Sequence, residues 1–168
     1  MNSTDRPLKL RKVRQEDCKL LWKWANDPVV RSSSFTSNSI AWEEHLRWFN
    51  DKLNSSNCYH FIAFNNQDVP IGQIRFDIDE QLQSIVSISL ASNQRNQGYG
   101  KLILQMAISE LFQRISVTNI QALIKPDNFA SIKLFENVGF KNVGFTPIIS
   151  VVPNILALKY IYDIYERS

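Results

Sequence analysis

The sequence predicts a mixed α/β fold built on one sheet, and three observations carry that reading. Short apolar runs of strand length interrupt stretches in which apolar residues recur at helical spacing. Their order is strand, two helices, three strands, helix, strand, helix, then a strand or two, with no internal repeat and no long low-complexity linker. The 168 residues are 44% hydrophobic and 21% charged. A chain of that size and composition suits one domain that buries roughly two-thirds of its unfolded surface.

A polar tail over 1–7 precedes the expected domain, 8–168. Leu8, Leu10 and Val13 make a short strand-like stretch. Asp17 stands where it would cap a helix carrying Leu20, Leu21, Trp24 and Ala25 at helical spacing, and Asn26, Asp27 and Pro28 end that helix. A serine-rich loop (Ser32, Ser33, Ser34, Ser37, Ser39) leads to a second helix over Ala41 to Leu53, with Trp42, Leu46, Phe49 and Leu53 on one stripe. This loop and helix are expected at the edge of the domain as a separate lobe.

Three strands follow: Cys58 to Phe64, Val69 to Asp79, and Ser84 to Leu90, the last two joined by a hairpin turn at Asp79, Glu80 and Gln81. Lys101 to Arg114 is a broad-faced helix and Ile120 to Lys125 a buried type of strand. Asp127 to Val138 is a short helix that Gly139 can stop in a left-handed C-cap, and Asn154 to Ile164 closes the chain with strand character.

The composition excludes several function classes. The net charge of +3 is spread along the chain, with no basic block longer than Lys9, Arg11, Lys12 and Arg14, so no nucleic-acid platform is expected. Cys18 and Cys58, the only cysteines, have no metal-ligand spacing, which points to reduced thiols, no metal site and a cytoplasmic protein. No apolar run approaches the ~20 residues that span a bilayer, and the start of the chain lacks a signal-peptide core.

The informative loop is Gln94-Arg95-Asn96-Gln97-Gly98-Tyr99-Gly100, an RxxGxG pattern between a strand and a helix. Backbone N–H groups at such a junction have no intrahelical partner and lie at the positive end of the helix dipole, while glycines let a phosphate approach without a Cβ in the way. By composition alone the pattern would arise in roughly one chain of this length in twenty to thirty, with glycine at ~7% of residues. Its position between strand and helix is therefore what gives it weight. Leu102 follows Gly100-Lys101 where a Walker A loop needs Ser or Thr, and Ile103 stands at the third glycine position of a dinucleotide fingerprint, so both rival loops fail.

Arg95 to Gly100 resembles motif A of the GNAT superfamily of N-acetyltransferases, and Asn128-Phe129-Ala130-Ser131-Ile132-Lys133-Leu134-Phe135-Glu136-Asn137-Val138-Gly139-Phe140 resembles its motif B. The resemblance implies a mixed, mostly antiparallel sheet splayed at the cofactor site and flanked by about four helices. It also implies acetyl-CoA as co-substrate, with no metal. Backbone groups of Ser89 and Leu90 would then pair with the pantetheine arm. Arg95, Asn96, Gln97, Gly98, Tyr99 and Gly100 would hold the pyrophosphate, and Asn128, Ser131 and Lys133 would add contacts. Asn128 could equally cap its helix, and Lys133 could be a solvated charge.

Direct transfer needs a neutral acceptor amine, a path for its proton and stabilisation of the oxyanion. Many family members carry a Glu on the strand before the loop, where Ser84-Ile85-Val86-Ser87-Ile88-Ser89 has no carboxylate, and a motif B Tyr where Phe135 stands here. An amine flanked by C–O bonds would tolerate the gap, since it ionises well below lysine's ~10.4, nearer ~8. Candidates to anchor a water relay are His60, His45 and Asp77, each of which could be structural instead.

The four tryptophans, Trp22, Trp24, Trp42 and Trp48, all fall in the first third of the chain, interleaved with Phe35, Phe49, Arg31 and His45. Aromatic faces there would stack on a sugar or a base, or simply pack on the sheet, and Arg31 would meet a phosphate or carboxylate. Trp24, Arg31, Phe35, Trp42 and His45 are the candidate acceptor contacts. The run from Trp24 to Phe49 resembles acetyltransferases of pseudaminic-type nonulosonic-acid pathways. This implies transfer to the 4-amino group of a nucleotide-linked deoxy-aminosugar, a small-molecule amine acceptor. The Asn-Asp-Pro helix end is also similar to ribosomal-protein N-terminal acetyltransferases, which makes peptide N-termini the second reading. A CoA-binding module without turnover is the third. The sequence admits a homodimer without requiring one.

Overall fold

A computed structural model of the chain describes residues 7–148 and 155–164. Among these residues seven strands form one sheet in the order β1-β2-β3-β4-β5-β7-β6: β1 Lys9–Lys12, β2 Cys58–Phe64, β3 Pro70–Ile78, β4 Gln83–Leu90, β5 Asn119–Ile124, β6 Lys141–Pro147 and β7 Leu156–Asp163. Every neighbouring pair is antiparallel except β4 and β5, which run parallel. Their pairing ends at Ile85 opposite Gln121, so β4 continues from Val86 to Leu90 without β5 beside it. The sheet is splayed there, as expected.

Among the described residues there are five α-helices: α1 Cys18–Ala25, α2 Pro28–Ser33, α3 Trp42–Asn54, α4 Tyr99–Phe112 and α5 Phe129–Val138. Alternation along the strands sends Phe61, Ile74, Phe76 and Val86 to one face, where they pack with Ile103, Leu104, Ala107 and Leu111 of α4 and Phe135 and Val138 of α5. On the opposite face Ile62 packs with Val13, Cys18, Leu21 of α1 and Phe49 of α3, and Trp24, Trp42, Leu46 and Trp48 surround this second cluster. The first helices are thus a covering layer of the sheet and not the separate lobe expected from sequence. Ile62 has no exposed surface. Its truncation to Ala costs about 2–5 kcal/mol in such a setting.

Three local expectations are corrected. Asp17 does not cap α1, because its carboxylate is taken by Arg11 at 2.9 Å through both oxygens and by the Arg14 backbone N–H at 2.7 Å. Asn26-Asp27-Pro28 ends one helix and also begins another. Pro28 sits in the first turn of α2 and Asp27 Oδ1 accepts from the backbone N–H of Val29 and Val30, so the start of the supposed serine loop is helical. Residues Lys141–Pro147, given no definite strand by the sequence, form β6 around a register break between Asn142 and Phe145, with Gly144 at φ +107°. Gly139 ends α5 at φ +107°, the left-handed stop expected. The start of the closing strand at Asn154 lies outside the described residues.

Candidate active site

Strand alternation that buries Ile74 and Phe76 under α4 places Gln73, Arg75 and Asp77 on the opposite face of β3. His60 of β2 and Ser87 and Ser89 of β4 lie beside them, because Arg75 pairs with His60 and Ser87 and Gln73 with Ser89. α1, α2 and α3 cover this polar patch incompletely. The space left is a cavity of about 370 Å³, floored by His60, Gln73, Arg75, Ser87 and Ser89 and walled by Trp24, Val30, Arg31, Glu44, His45 and Trp48, among others. Its size lies within the about 300–1,000 Å³ typical of small-molecule sites.

The floor is ordered by hydrogen bonds. Gln73 Oε1 accepts from His60 Nε2 at 2.7 Å, and Gln73 Nε2 donates to Ser89 Oγ at 3.0 Å. Burial, reinforced by the Arg75 charge, pushes the His60 imidazole down to about 4, so the ring is neutral near pH 7 with its proton on Nε2. Arg75 Nε donates to Asp77 Oδ2 at 2.8 Å and the guanidinium lies over the Trp48 ring at 4.9 Å. Lys52 holds the other Asp77 oxygen at 2.6 Å. Burial raises the Asp77 carboxyl, but Arg75 and Lys52 outweigh it and keep the group below its ordinary range. Burial and Asp77 together push the neighbouring Cys58 thiol up to about 11.

Of the three relay candidates, only His60 stands in the cavity floor in a hydrogen-bonded chain. His45 is 2% exposed, bonds the Cys18 carbonyl at 3.0 Å and is packed by Trp42, Trp48 and Phe49, so it belongs mainly to the core although its edge reaches the cavity wall. Asp77 is held by its two cations and does not line the cavity.

Of the acceptor candidates, Trp24, Arg31 and His45 line the cavity and Phe35 and Trp42 do not. Trp42 packs edge-on against Trp22 at 5.4 Å. Arg31 does not offer its guanidinium to a ligand as expected: it bonds the carbonyls of Ala25, Thr36 and Asn38 and the Ser34 hydroxyl, and so fixes the loop after α2. Gln73, Arg75, Ser87 and Glu44 were not singled out from sequence as contacts. The signal for the first two was polar residues at alternate positions of a strand whose other face is wholly apolar.

On the other side of the splay, the loop 95–100 carries the backbone geometry that an anion needs. Asn96 and Gly98 are left-handed at φ +59° and +83°, and among the described residues no heavy atom beyond Gly98 and its two chain neighbours lies within 4 Å of where a Cβ on Gly98 would sit. Gly98 is also the N-cap of α4 and offers no side-chain cap. This open, uncapped helix start fits the pyrophosphate of coenzyme A. A Cβ on Gly100 would lie 3.4 Å from Leu134, so the same stretch packs closely on α5. The Arg95 side chain turns away from the loop, donating to Asp27 Oδ1 at 2.7 Å and to the Leu90 carbonyl at 3.2 Å.

Asn128 caps α5, with Oδ1 accepting from the Ser131 N–H at 3.2 Å. Both readings of this residue are compatible in one geometry, because among the described residues its Nδ2 makes no hydrogen bond within the chain. Asn128 lines a second cavity of about 340 Å³ with Ser32, Ser33, Asp127, Phe129 and Ala130. Ser131 is half-buried and Lys133 exposed on the same helix. Among the described residues no cluster of metal-binding side chains occurs and no helix is long and apolar enough to cross a membrane.

Residues 7–141 match the family model of the acetyltransferase (GNAT) domain. The acetyltransferase PseH of Campylobacter jejuni is 25% identical over 128 residues, covering 76% of this chain and 79% of that protein. The spermidine N-acetyltransferase of Vibrio cholerae, solved with CoA and spermine, superposes with a TM-score of 0.79 at 17% identity, over 92% of this chain and 93% of that one. The aminoglycoside acetyltransferase AAC(6')-Ib, solved with ribostamycin and coenzyme A, gives 0.80 at 19% identity, over 96% and 97%.

Proposed function

The chain belongs to the GNAT acetyltransferase family, and from that premise we propose that its acceptor is the 4-amino group of a nucleotide-linked deoxy-aminosugar. The enzyme is an N-acetyltransferase, and acetyl-CoA supplies the activated acetyl group. The residues proposed to hold it are the backbone of Arg95 to Gly100 for the pyrophosphate, Ser89 and Leu90 on the stretch of β4 that β5 no longer flanks for the pantetheine arm, and Asn128, with Ser131 and Lys133 beside it.

The observation that carries the acceptor reading is the charge of the cavity. Among the described residues that line it, the ionic groups are two guanidiniums, Arg31 and Arg75, and one carboxylate, Glu44, with Asp77 paired to Arg75 from outside the cavity. Spermine and ribostamycin, bound by the two solved neighbours, are polycations, and a cavity of this charge lacks the excess of carboxylates that such ligands favour. Among the described residues the Nη atoms of Arg75 make no hydrogen bond within the chain, which leaves them for a phosphate or carboxylate of the acceptor. Trp24 and Trp48 offer apolar faces for a sugar ring. The sequence resemblance of residues 24–49 to nucleotide-aminosugar acetyltransferases supports the same reading.

The floor chain has a chemical consequence in this proposal. Because Gln73 donates to the Ser89 oxygen, Ser89 keeps its own proton for an acceptor atom in the cavity, and so serves as an oriented donor near the reacting groups. With its Nε2 proton held by Gln73 Oε1 and its imidazole pushed down to about 4, His60 orients this chain and is a weak base near pH 7. The proton of the attacking amine leaves to water, which a sugar amine of lowered basicity permits. Free-thiol release measured on a nucleotide-linked 4-amino sugar, spermidine, an aminoglycoside and a peptide N-terminus tests the reading. Turnover confined to the sugar nucleotide is expected, and preferential turnover of the peptide would move the assignment to an N-terminal acetyltransferase.

A further inference from the structure

Helix α2 is six residues long and contains no buried residue. So short a helix is not stable by itself, and without a buried face its position is set by what holds its ends. At the start, Asp27 Oδ1 accepts from the Val29 and Val30 N–H groups at 3.0 and 3.2 Å and from Arg95 Nη2 at 2.7 Å. Near the end, Lys125 Nζ donates to the Ser32 carbonyl at 2.8 Å. Arg95 follows β4 and Lys125 follows β5, the two strands that part after Ile85 and Gln121. The helix is therefore tied to both sides of the splay.

Its residues also divide between the two cavities. Val30 and Arg31 line the larger one, with Ser34 just beyond the helix, and Ser32 and Ser33 line the second, beside Asn128. A shift at either end moves a wall of each. We propose that Asp27 is a positioning residue that couples the two substrates: when the loop 95–100 takes up coenzyme A, the Arg95 to Asp27 contact fixes α2 and so sets the wall of the acceptor cavity. This rests on the reading of that loop as the coenzyme A site. It gives Asn26-Asp27-Pro28 a joint role, since Asn26 ties the end of α1 to Ile40 through bonds of 2.7 and 3.1 Å, Asp27 joins cap to loop, and Pro28 starts the strap.

Hydrogen exchange of the full chain, followed by mass spectrometry with and without coenzyme A, reads this without any acceptor. In the unaltered protein coenzyme A is expected to slow exchange in 95–102 and, by about tenfold, in 28–34, a span typical of coupling between sites. Asp27→Asn keeps the capping oxygen and removes the charge. It should retain the loop's protection and lose that of α2, and Asp27→Ser, which also keeps a capping oxygen, should do the same and covers the case in which Asp27→Asn does not fold. A merely structural ion pair would leave the reach of coenzyme A's protection unchanged. Equal slowing of α2 in both variants, no slowing of α2 in the unaltered protein, or loss of coenzyme A binding in Asp27→Asn overturns the proposal. If coenzyme A leaves 95–102 itself unchanged, the cofactor-site reading is what has failed.

Discussion

Gln73 and Ser89 face each other across β3 and β4, and the Gln73 amide donates to the Ser89 hydroxyl at 3.0 Å while its carbonyl is held by His60 at 2.7 Å. One side chain thereby fixes the direction of two hydrogen bonds on the floor of the acceptor cavity.

Gln73→Leu should therefore act through Ser89 and leave the coenzyme A loop untouched. Leaving two half-buried polar groups without partners costs about 1–3 kcal/mol of stability. At 25 °C, kcat should fall by about 100-fold, the lower end for a lost oriented donor. The KM for acetyl-CoA should stay within about twofold, since uniform cofactor binding is unaffected. Ser89→Ala should reproduce the kcat loss, and steady-state kinetics on both variants checks it.

The histidine gives a pH dependence of defined sign. His60 falls from an ordinary 6.5 to about 4 in the folded protein, so between those values the unfolded chain binds more protons than the folded one. Stability rises with pH across that window, is complete above pH 6.5, and is lost as pH falls through about 4. A shift of this size corresponds to about 3 kcal/mol. Urea unfolding at a series of pH values should show the slope, and His60→Gln should flatten it. Burial lowers His45 as well, so some slope remains.

Gly98 tests the cofactor loop by conformation and by charge. At φ +83° a side chain is strained, so Gly98→Ala should cost about 1–2 kcal/mol in the loop. Gly98→Glu adds bulk and negative charge in the open space beside the loop. Its affinity for coenzyme A should fall by more than about tenfold by calorimetry, given a site that works by attracting an anion.

Much of this was legible in the sequence for a physical reason. The apolar alternation of Ile74, Phe76 and Ile78 and the glycines of the loop report local backbone requirements, which a single chain segment displays. Helix α2 was missed because Pro28 both stops α1 and starts the next helix, and the stop was the reading taken. The strand β6 was obscured by Gly144 and Pro147, and by Val143 and Phe145, which are exposed at an edge position. The partners of arginines were beyond reach: Arg31 was read as a ligand contact and Arg95 as a phosphate contact, while the fold spends both on backbone carbonyls and Asp27. The polar floor needs three strands in register, and registers are long-range facts.

Arg75 carries the central claim, that the cavity selects an acceptor bearing an anionic group. The direct measurement is kcat/KM on a nucleotide-linked 4-amino sugar and on the same sugar without its nucleotide, for the unaltered enzyme, Arg75→Gln and Arg75→Lys. The unaltered enzyme should favour the linked sugar, Arg75→Gln should lose about 10- to 100-fold of that preference, the worth of a charge-assisted bidentate contact, and Arg75→Lys should recover part of it, with the free sugar unchanged throughout. A preference ratio identical in all three proteins, or a preference for spermidine over both sugars, would contradict it.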